Sequence, residues 1–584
     1  MKNKFIVLVF LIVLTIFAYS QNLTESEKMA RKLFSESLQA FFSGNRYEAR
    51  LKLSEAMTNE IYLNDVPYFW YYAAKLDLLL GQIDKAQEDL NNILFFAPSN
   101  SETISLNKFI SSLKTFGVAE HPELKVKELF KVKNIINSNE KFYIINDFEI
   151  INEYIYLLDV QNKLIYYTNA NNTVEGWIKL NEIISDDFEA INIYYDDRTD
   201  YFYISGNTGL YLMKNFSKSN KYVFTKISSL KNLLLFGIDK VGRFWVFSNE
   251  KNSVLELDYT GKVIEEFKMS HDEFITSGSL FDGEIKLLDI KNKKLLYFSI
   301  FEKKIVKQYI LKNKHLPYSI ASLPFNITLI SFMNDKTYLF EDGKLKEFYK
   351  FPYLLKYKNG VITKFDYTKF QASLDMVDFE SETLPFYIFI YSIAFNTEKM
   401  KIDLKINTVY PGNNFIEFIS KKIYITDSEG RYAFNYNKSL EKPNFYYFDN
   451  TEHLFLEMLP KIKNDSVVIL NDEENSDINK YVNITSIIPF IFTNTSLYIV
   501  KNQYITEQTQ NLVKLTGGAI IPKEDFGLFE KYIKDSKKII QKINYKIFPP
   551  IAPGIRPVRI FLHIGNKVIT DTMYYYSEGV GIAE

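Results

Sequence analysis

One pattern recurs five times between residues 148 and 346 of this chain. FEIINEYIYLLDVQNKLIYYTN, DDRTDYFYISGNTGLYLMKN, DKVGRFWVFSNEKNSVLELDYTGKV, FDGEIKLLDIKNKKLLYFSIFEKKI and PFNITLISFMNDKTYLFEDGKL can be laid over one another. Each reads as an apolar strand, a polar turn, a second apolar strand, another turn and a charged edge strand. The first strands begin near Ile155, Phe202, Phe244, Ile285 and Ile327, in steps of 47, 42, 41 and 42 residues. A sixth, weaker copy, YKNGVITKFDYTKFQASL, lies near Val361. The constraint is severe, because a small sheet of this kind cannot bury both of its faces alone. Stacking neighbouring copies around a closed ring buries them.

This grammar predicts an all-β propeller over residues 125–379 with about six blades, or seven if residues 125–148 complete another. The 42 Tyr and 49 Phe suit it, since aromatic side chains favour pleated, half-buried surfaces. Gly242-Arg243-Phe244-Trp245-Val246, followed by Asn252-Ser253-Val254 and Asp258-Tyr259-Thr260-Gly261, resembles the strand-turn grammar of NHL-type propellers. Asp196 before Tyr201-Phe202-Tyr203-Ile204-Ser205-Gly206, then Gly209-Leu210, is similar to the propeller repeats of sensor ectodomains. Each resemblance covers one blade and implies fold only.

Ahead of the repeats, residues 24–117 carry helical periodicity. Trp70, Ala74, Gly81, Ala86, Leu90 and Pro98 stand at the offsets of bulky, small, turn, small, bulky and terminating positions in a helical hairpin. Gly44, Ala49, Leu53 and Ala56 repeat the spacing 37 residues earlier. This resembles a two-repeat tetratricopeptide unit. The resemblance implies a groove for a protein partner, with Tyr68, Trp70 and Tyr71 as candidate contacts in the aromatic run around Trp70.

After Glu380 the repeat stops. A helix from Glu452 to Lys463, a buried strand at Ser466–Leu470 and a second strand at Ile487–Thr493 are expected. A polar helix at Glu507–Thr516 and a further helix at Gly527–Ile543 flank Gly517-Gly518. That alternation predicts a parallel α/β layout within 385–584, preceded by a β segment. Residues 463–543 resemble the second half of a von Willebrand factor A domain, which makes Gly517 a left-handed helix stop and Gly518 a tight strand entry. A phosphate loop would place the glycines before a helix rather than after one. The family's Asp-x-Ser-x-Ser cation turn occurs nowhere in the chain, so its metal chemistry is not implied. Asp472 and Glu473, at the carboxyl end of the Ser466–Leu470 strand, are the candidate contacts there.

Lys2 and Lys4, the apolar run Phe5–Phe17 and Ala18-Tyr19-Ser20 form a signal-peptide layout over residues 1–20, so an extracytoplasmic, periplasmic or secreted protein is expected. No later stretch is long and apolar enough to span a membrane. With 70 basic and 71 acidic residues, nothing favours nucleic acid. No cysteine is present, which excludes disulfides and thiolate chemistry. The five histidines are scattered, one per region, and Asp196–Asp200 reads as a solvated hairpin turn rather than a calcium loop. No cofactor, metal site or catalytic residue is expected. The leading reading is a non-enzymatic scaffold for protein partners. Its rivals are a propeller enzyme acting on carbohydrate or a small ester, and a cation-dependent adhesin.

Overall fold

The computed structural model describes residues 23–115, 123–131, 144–151, 154–168, 173–214, 222–270, 272–281, 283–324, 326–358, 361–380, 387–409, 423–426, 433–471, 478–501, 505–548, 551–564 and 567–580. The expected leader at 1–20 lies outside them.

Helix α1 (Glu25–Phe42) starts where Thr24 accepts from the Glu27 N–H and Glu27 accepts from the Thr24 N–H, a reciprocal cap. It ends at Gly44, whose φ of 89° lets the chain double back into α2 (Arg46–Met57). Gly81, at φ 77°, repeats the device between α3 (Val66–Leu79) and α4 (Ile83–Phe96), and α5 (Ser101–Thr115) follows. Ala49, Leu53, Ala56, Ala74, Ala86 and Leu90 are all fully buried, so the small residues do let the helices approach. Two helical hairpins and a fifth helix result.

Six four-stranded antiparallel sheets follow. The leading strand read in each repeat above, near Ile155, Phe202, Phe244, Ile285 and Ile327, is the second strand of its blade. The inner strands are Ile145–Ile151, Ala190–Asp196, Leu233–Ile238, Ile275–Phe281, Pro317–Ser322 and Leu354–Lys358. They stand side by side in succession. Blade 6 takes its outermost strand, Glu123–Lys131, from ahead of blade 1, pairing Val126 with Val377. The described residues of 125–148 therefore build no seventh blade: residues 125–131 belong to the outermost strand of blade 6 and residues 145–148 to the inner strand of blade 1. Phe148 and Phe365, 5.8 Å apart, pack blade 1 against blade 6 and close the ring.

Among the described residues, the C-terminal region holds three sheets. Tyr387–Asn396, Lys401–Val409, Lys538–Lys546 and Ala433–Glu441 pair antiparallel in that order. Gly554–Ile564 and Lys567–Ser577 form a hairpin with Ile423–Thr426 at its edge. Asn444–Phe448, Ser466–Asn471, Ser496–Lys501 and Ala519–Pro522 make a parallel sheet, the expected α/β layout. Two sequence expectations are corrected here. Ile487–Thr493 is not a strand: Ile487–Phe492 lies in the helix Ile484–Phe492, which Thr493 caps, and the strand is Ser496–Lys501. An Asn483–Ser486 reciprocal cap starts that helix, and its unbroken apolar run from Ile487 through Phe492, buried throughout, reads in sequence like a core strand. The helix expected at Gly527–Ile543 ends at Asp535, and Lys538–Lys546 joins the antiparallel sheet instead.

The Gly-Gly pair behaves as read. Gly517 has φ 79° just beyond the end of the helix Glu507–Leu515. A Cβ on Gly518 would stand 1.6 Å from the Leu497 carbonyl oxygen, so only glycine lets these strands come together.

The helical unit and the C-terminal sheets share one core. Tyr574 packs edge to face on Phe34 and Tyr72, and Phe389 stacks on Phe492 at 4.0 Å. Within this core Lys75 reaches the Asp571 carboxylate at 2.8 Å, both side chains being essentially inaccessible. The ammonium also donates to the Ile390 and Thr572 carbonyls.

Candidate functional site: the capped channel

An inner strand pairs with its own blade on one edge only. Its other edge carries backbone N–H and C=O groups facing the ring axis, and these need partners. The inner strands supply them with short polar side chains that reach the neighbouring blade. Asp147 accepts from the Ile193 N–H at 3.0 Å, joining blade 1 to blade 2. Asn192 donates to the Leu235 carbonyl and accepts from the Leu235 N–H, joining blade 2 to blade 3. Ser279 accepts from the Ser322 N–H and Ser319 from the Leu355 N–H, joining blades 4, 5 and 6. Between blades 3 and 4 the joint is steric: a Cβ on Gly278 would meet the Phe236 ring at 2.3 Å.

Ring closure carries charge. Lys356, on the inner strand of blade 6, donates to Asp147 at 3.1 Å, to Glu149 at 2.9 Å and to the Ile193 carbonyl at 2.9 Å. Burial opposes the Lys356 charge, but Asp147 and Glu149 outweigh it and hold the ammonium above its ordinary pKa. Burial, helped by the neighbouring Glu149, pushes the Asp147 carboxyl up despite Lys356. Two residues further on, Lys358 donates to the Tyr195 carbonyl at 2.8 Å and lies over the Tyr195 ring.

The inner strands enclose a cavity of about 410 Å³. Lys438, on the C-terminal strand Ala433–Glu441, also lines it. The C-terminal domain is thus a cap on the face formed by hairpins between first and second strands. Tyr532 donates to Asp196 at 2.7 Å, beneath the Arg198 guanidinium. Lys240 donates to the Gly518 carbonyl, and Val241 enters the apolar cluster of the parallel sheet with Ile469, Val500 and Phe529. Arg243 bridges Asp239, Glu256 and Asp525. The expectation of a solvated turn at Asp196–Asp200 is therefore corrected: Asp196 and Thr199 are buried in the contact with the cap. On the opposite face, Asn207, Lys251, Lys293 and Asp335 make their hydrogen bonds to groups within the propeller.

The residues singled out from sequence sit elsewhere. Tyr71 is buried, and its hydroxyl donates to Asp571 at 2.8 Å. Tyr68 packs on Tyr574 at 5.2 Å, and Trp70 is partly buried against the shared core. The expected partner groove is corrected at Tyr71, whose partners are the chain's own C-terminal strands. Asp472 and Glu473 lie outside the described residues. Sequence reasoning missed Asp147, Asn192, Ser279, Ser319 and Lys356. The available signal was a polar residue inside the apolar stretches that precede the second strands, present in every blade but the third.

No protein-family model matches this chain, and no curated protein matches it. Solved structures of similar fold include the β-propeller domain of Cps50 (Swd1) from Myceliophteria thermophila, at 10% identity over 40% of this chain and 83% of that one, TM-score 0.31. Virginiamycin B lyase from Staphylococcus aureus is 9% identical over 44% of this chain and 99% of that one, TM-score 0.33. The WD40 β-propeller domain of Doa1 is 13% identical over 40% and 78%, TM-score 0.31. The middle of this chain is a β-propeller. Its strand order and ring closure carry that statement, and likeness at this level says nothing of activity.

Proposed function

We propose that the protein is an extracytoplasmic, non-enzymatic binding scaffold that presents the uncapped propeller face to a protein partner. The observation that carries this reading is the asymmetry of the two faces. One is occupied through Asp196, Lys240 and Arg243 by the C-terminal domain, whereas the other keeps its hairpins to itself. The carboxylates best placed for acid-base work, Asp147 and Glu149, are held by Lys356 and by backbone donors of blade 2. In this reading the tetratricopeptide-like helices and the A-like α/β sheet form the base on which the propeller is mounted. The leader at residues 1–20 delivers the chain outside the cytoplasm. No helix among the described residues is long and apolar enough to cross a membrane.

Photo-cross-linking in the exporting cell tests it. A reactive side chain at Lys251 or Lys293 is expected to give a discrete adduct with an envelope or secreted protein, and one at Lys307, on an outer strand, is expected to give none. Adducts at Lys307 alone would overturn the assignment of the face.

A further inference from the structure

The uncapped face of the propeller is polarised from one side to the other. At the junction of blades 1 and 2, the connection between their outer and inner strands exposes Asp186, Asp187 and Glu189. Glu182 in the same connection is paired with Lys179. Lys163, whose ammonium donates to the Asp186 carbonyl, offsets one of the three carboxylates and leaves an acidic excess. At the junction of blades 4 and 5, the corresponding connection exposes Lys312 and Lys314. Lys293, on the adjoining hairpin of blade 4, reaches the Asn313 and Lys314 carbonyls and adds a third ammonium group. Lys291 and Lys336 nearby are answered by Asp272 and Glu347. Asp335, which accepts from Asn313, offsets one of the three and leaves a basic excess. Each junction also exposes apolar side chains: Ile183 at the acidic one, and Leu316 and Met333 at the basic one. The Met333 N–H donates to the Leu316 carbonyl at 2.8 Å, which holds these two together.

Six blades stand in succession round a closed ring, so the two junctions lie three blades apart in either direction, on opposite sides of the channel mouth. A partner of one sign would be attracted at one junction and repelled at the other. A second copy of the same face, turned over about a two-fold axis running through blades 3 and 6, is attracted at both. The same rotation lays Lys231, at the junction of blades 2 and 3, over Asp272, at the junction of blades 3 and 4, and both are exposed.

We infer that the partner on the uncapped face is a second copy of this chain, an assignment that rests on reading that face as the binding surface. The two-fold dimer sets Asp186, Asp187 and Glu189 of each copy against Lys293, Lys312 and Lys314 of the other, and Ile183 against Leu316 and Met333. Exposed ion pairs contribute only about 0.2–1 kcal/mol each. The dimer is therefore a weak, micromolar one, and the dilute chain keeps its face bare.

Sedimentation equilibrium of the full chain tests this, with two charge-reversed variants: Asp186→Lys with Glu189→Lys, and Lys312→Glu with Lys314→Glu. The parent is expected to dimerise at micromolar concentration. Its dissociation constant should rise roughly tenfold between about 0.1 M and about 1 M salt, as screening shortens the reach of charge from about 10 Å to about 3 Å. Each variant alone should be monomeric, because both contacts of the two-fold dimer then set like charges together. Mixed in equal amounts, the two variants should dimerise again, since one contact of the mixed pair is native and the other is reversed on both sides. All four positions are exposed, and melting curves establish that the variants fold as the parent does. A dimer indifferent to both variants, a mixture that stays monomeric, or a parent that is monomeric throughout would each overturn the second copy as partner. Cross-linking at Lys293 then separates the two claims. An adduct with a different protein removes only the second copy, whereas adducts at Lys307 alone remove the binding face as well.

Discussion

At the scale of single residues, the helical unit contains an unusual carboxyl pair. Asp77 is fully buried and takes both contacts of the Arg50 fork, at 2.6 and 3.1 Å. Asp89, on the facing helix, is almost as buried, and one of its oxygens has no hydrogen-bond partner. Burial and then the Asp77 charge raise Asp89 to about 7, with Arg50 and Lys85 opposing. The folded protein therefore holds a proton that the unfolded chain, with its carboxylate near 3.9, gives up. This contribution to stability is complete below about pH 4 and is lost as the pH rises to about 7. Asp89→Asn should flatten that part of the stability profile, measured as the difference between urea unfolding of variant and parent from pH 4 to 8. A difference that does not change with pH would refute the shared proton. Gly518 gives a second prediction at this scale. Gly518→Ala sets a methyl against the Leu497 carbonyl, so it should destabilise by about 3 kcal/mol or more. Gly517→Ala has only left-handed strain to bear, about 1 kcal/mol, and thermal melts should rank the two in that order.

Among elements, the difference between what sequence revealed and what it hid has a physical cause. Second and third strands were legible because polar turns bound them and charged edge strands follow, as Val263–Lys268 shows by alternating exposure. Inner strands such as Leu233–Ile238 are buried along their whole length and give no alternation. The ring closure between Glu123–Lys131 and Gln371–Glu380 joins segments almost 250 residues apart, and no local pattern announces it. The helix Ile484–Phe492 was hidden for a related reason, since its buried run Ile487–Phe492 is as short and as continuously apolar as a core strand. The candidate site fared worse than the fold, because its polar residues are scattered one or two at a time over inner strands far apart in sequence. At this scale Lys356→Met should be costly, leaving Asp147 and Glu149 side by side without their cation. With part of the Lys356 side chain facing the cavity, about 2–3 kcal/mol is expected. Adding Asp147→Asn should restore part of that loss in equilibrium unfolding. A double variant no more stable than Lys356→Met would mean that Lys356 acts by packing alone.

For the whole molecule, the sequence divided the chain at compositional shifts, whereas the core does not follow those divisions. Tyr71 and Lys75 of the helical unit satisfy Asp571 of the last hairpin, and Phe109 stacks on Tyr387 at 5.0 Å. Residues 381–584 expressed alone would therefore expose the Tyr574 face and strand the Asp571 charge. They should be poorly folded by circular dichroism and calorimetry, and co-expression with residues 21–117 should rescue them. A cooperative melt of the fragment by itself would show that the two parts are separate domains after all.

The central claim is that the α/β domain closes one face of the propeller and leaves the other open. Native hydrogen exchange on the full chain reads both faces at once. Val241, Gly242 and Arg243 are buried beneath the cap, whereas Glu250 and Lys251, in the opposite hairpin of the same blade, are exposed. The amides of 241–243 should exchange as slowly as the strands beside them and those of 249–251 much faster, because protection tracks the opening that exposes each amide. Equal, fast exchange at 241–243 and 249–251 would mean that the cap is not seated, and the asymmetry on which the functional reading rests would be gone.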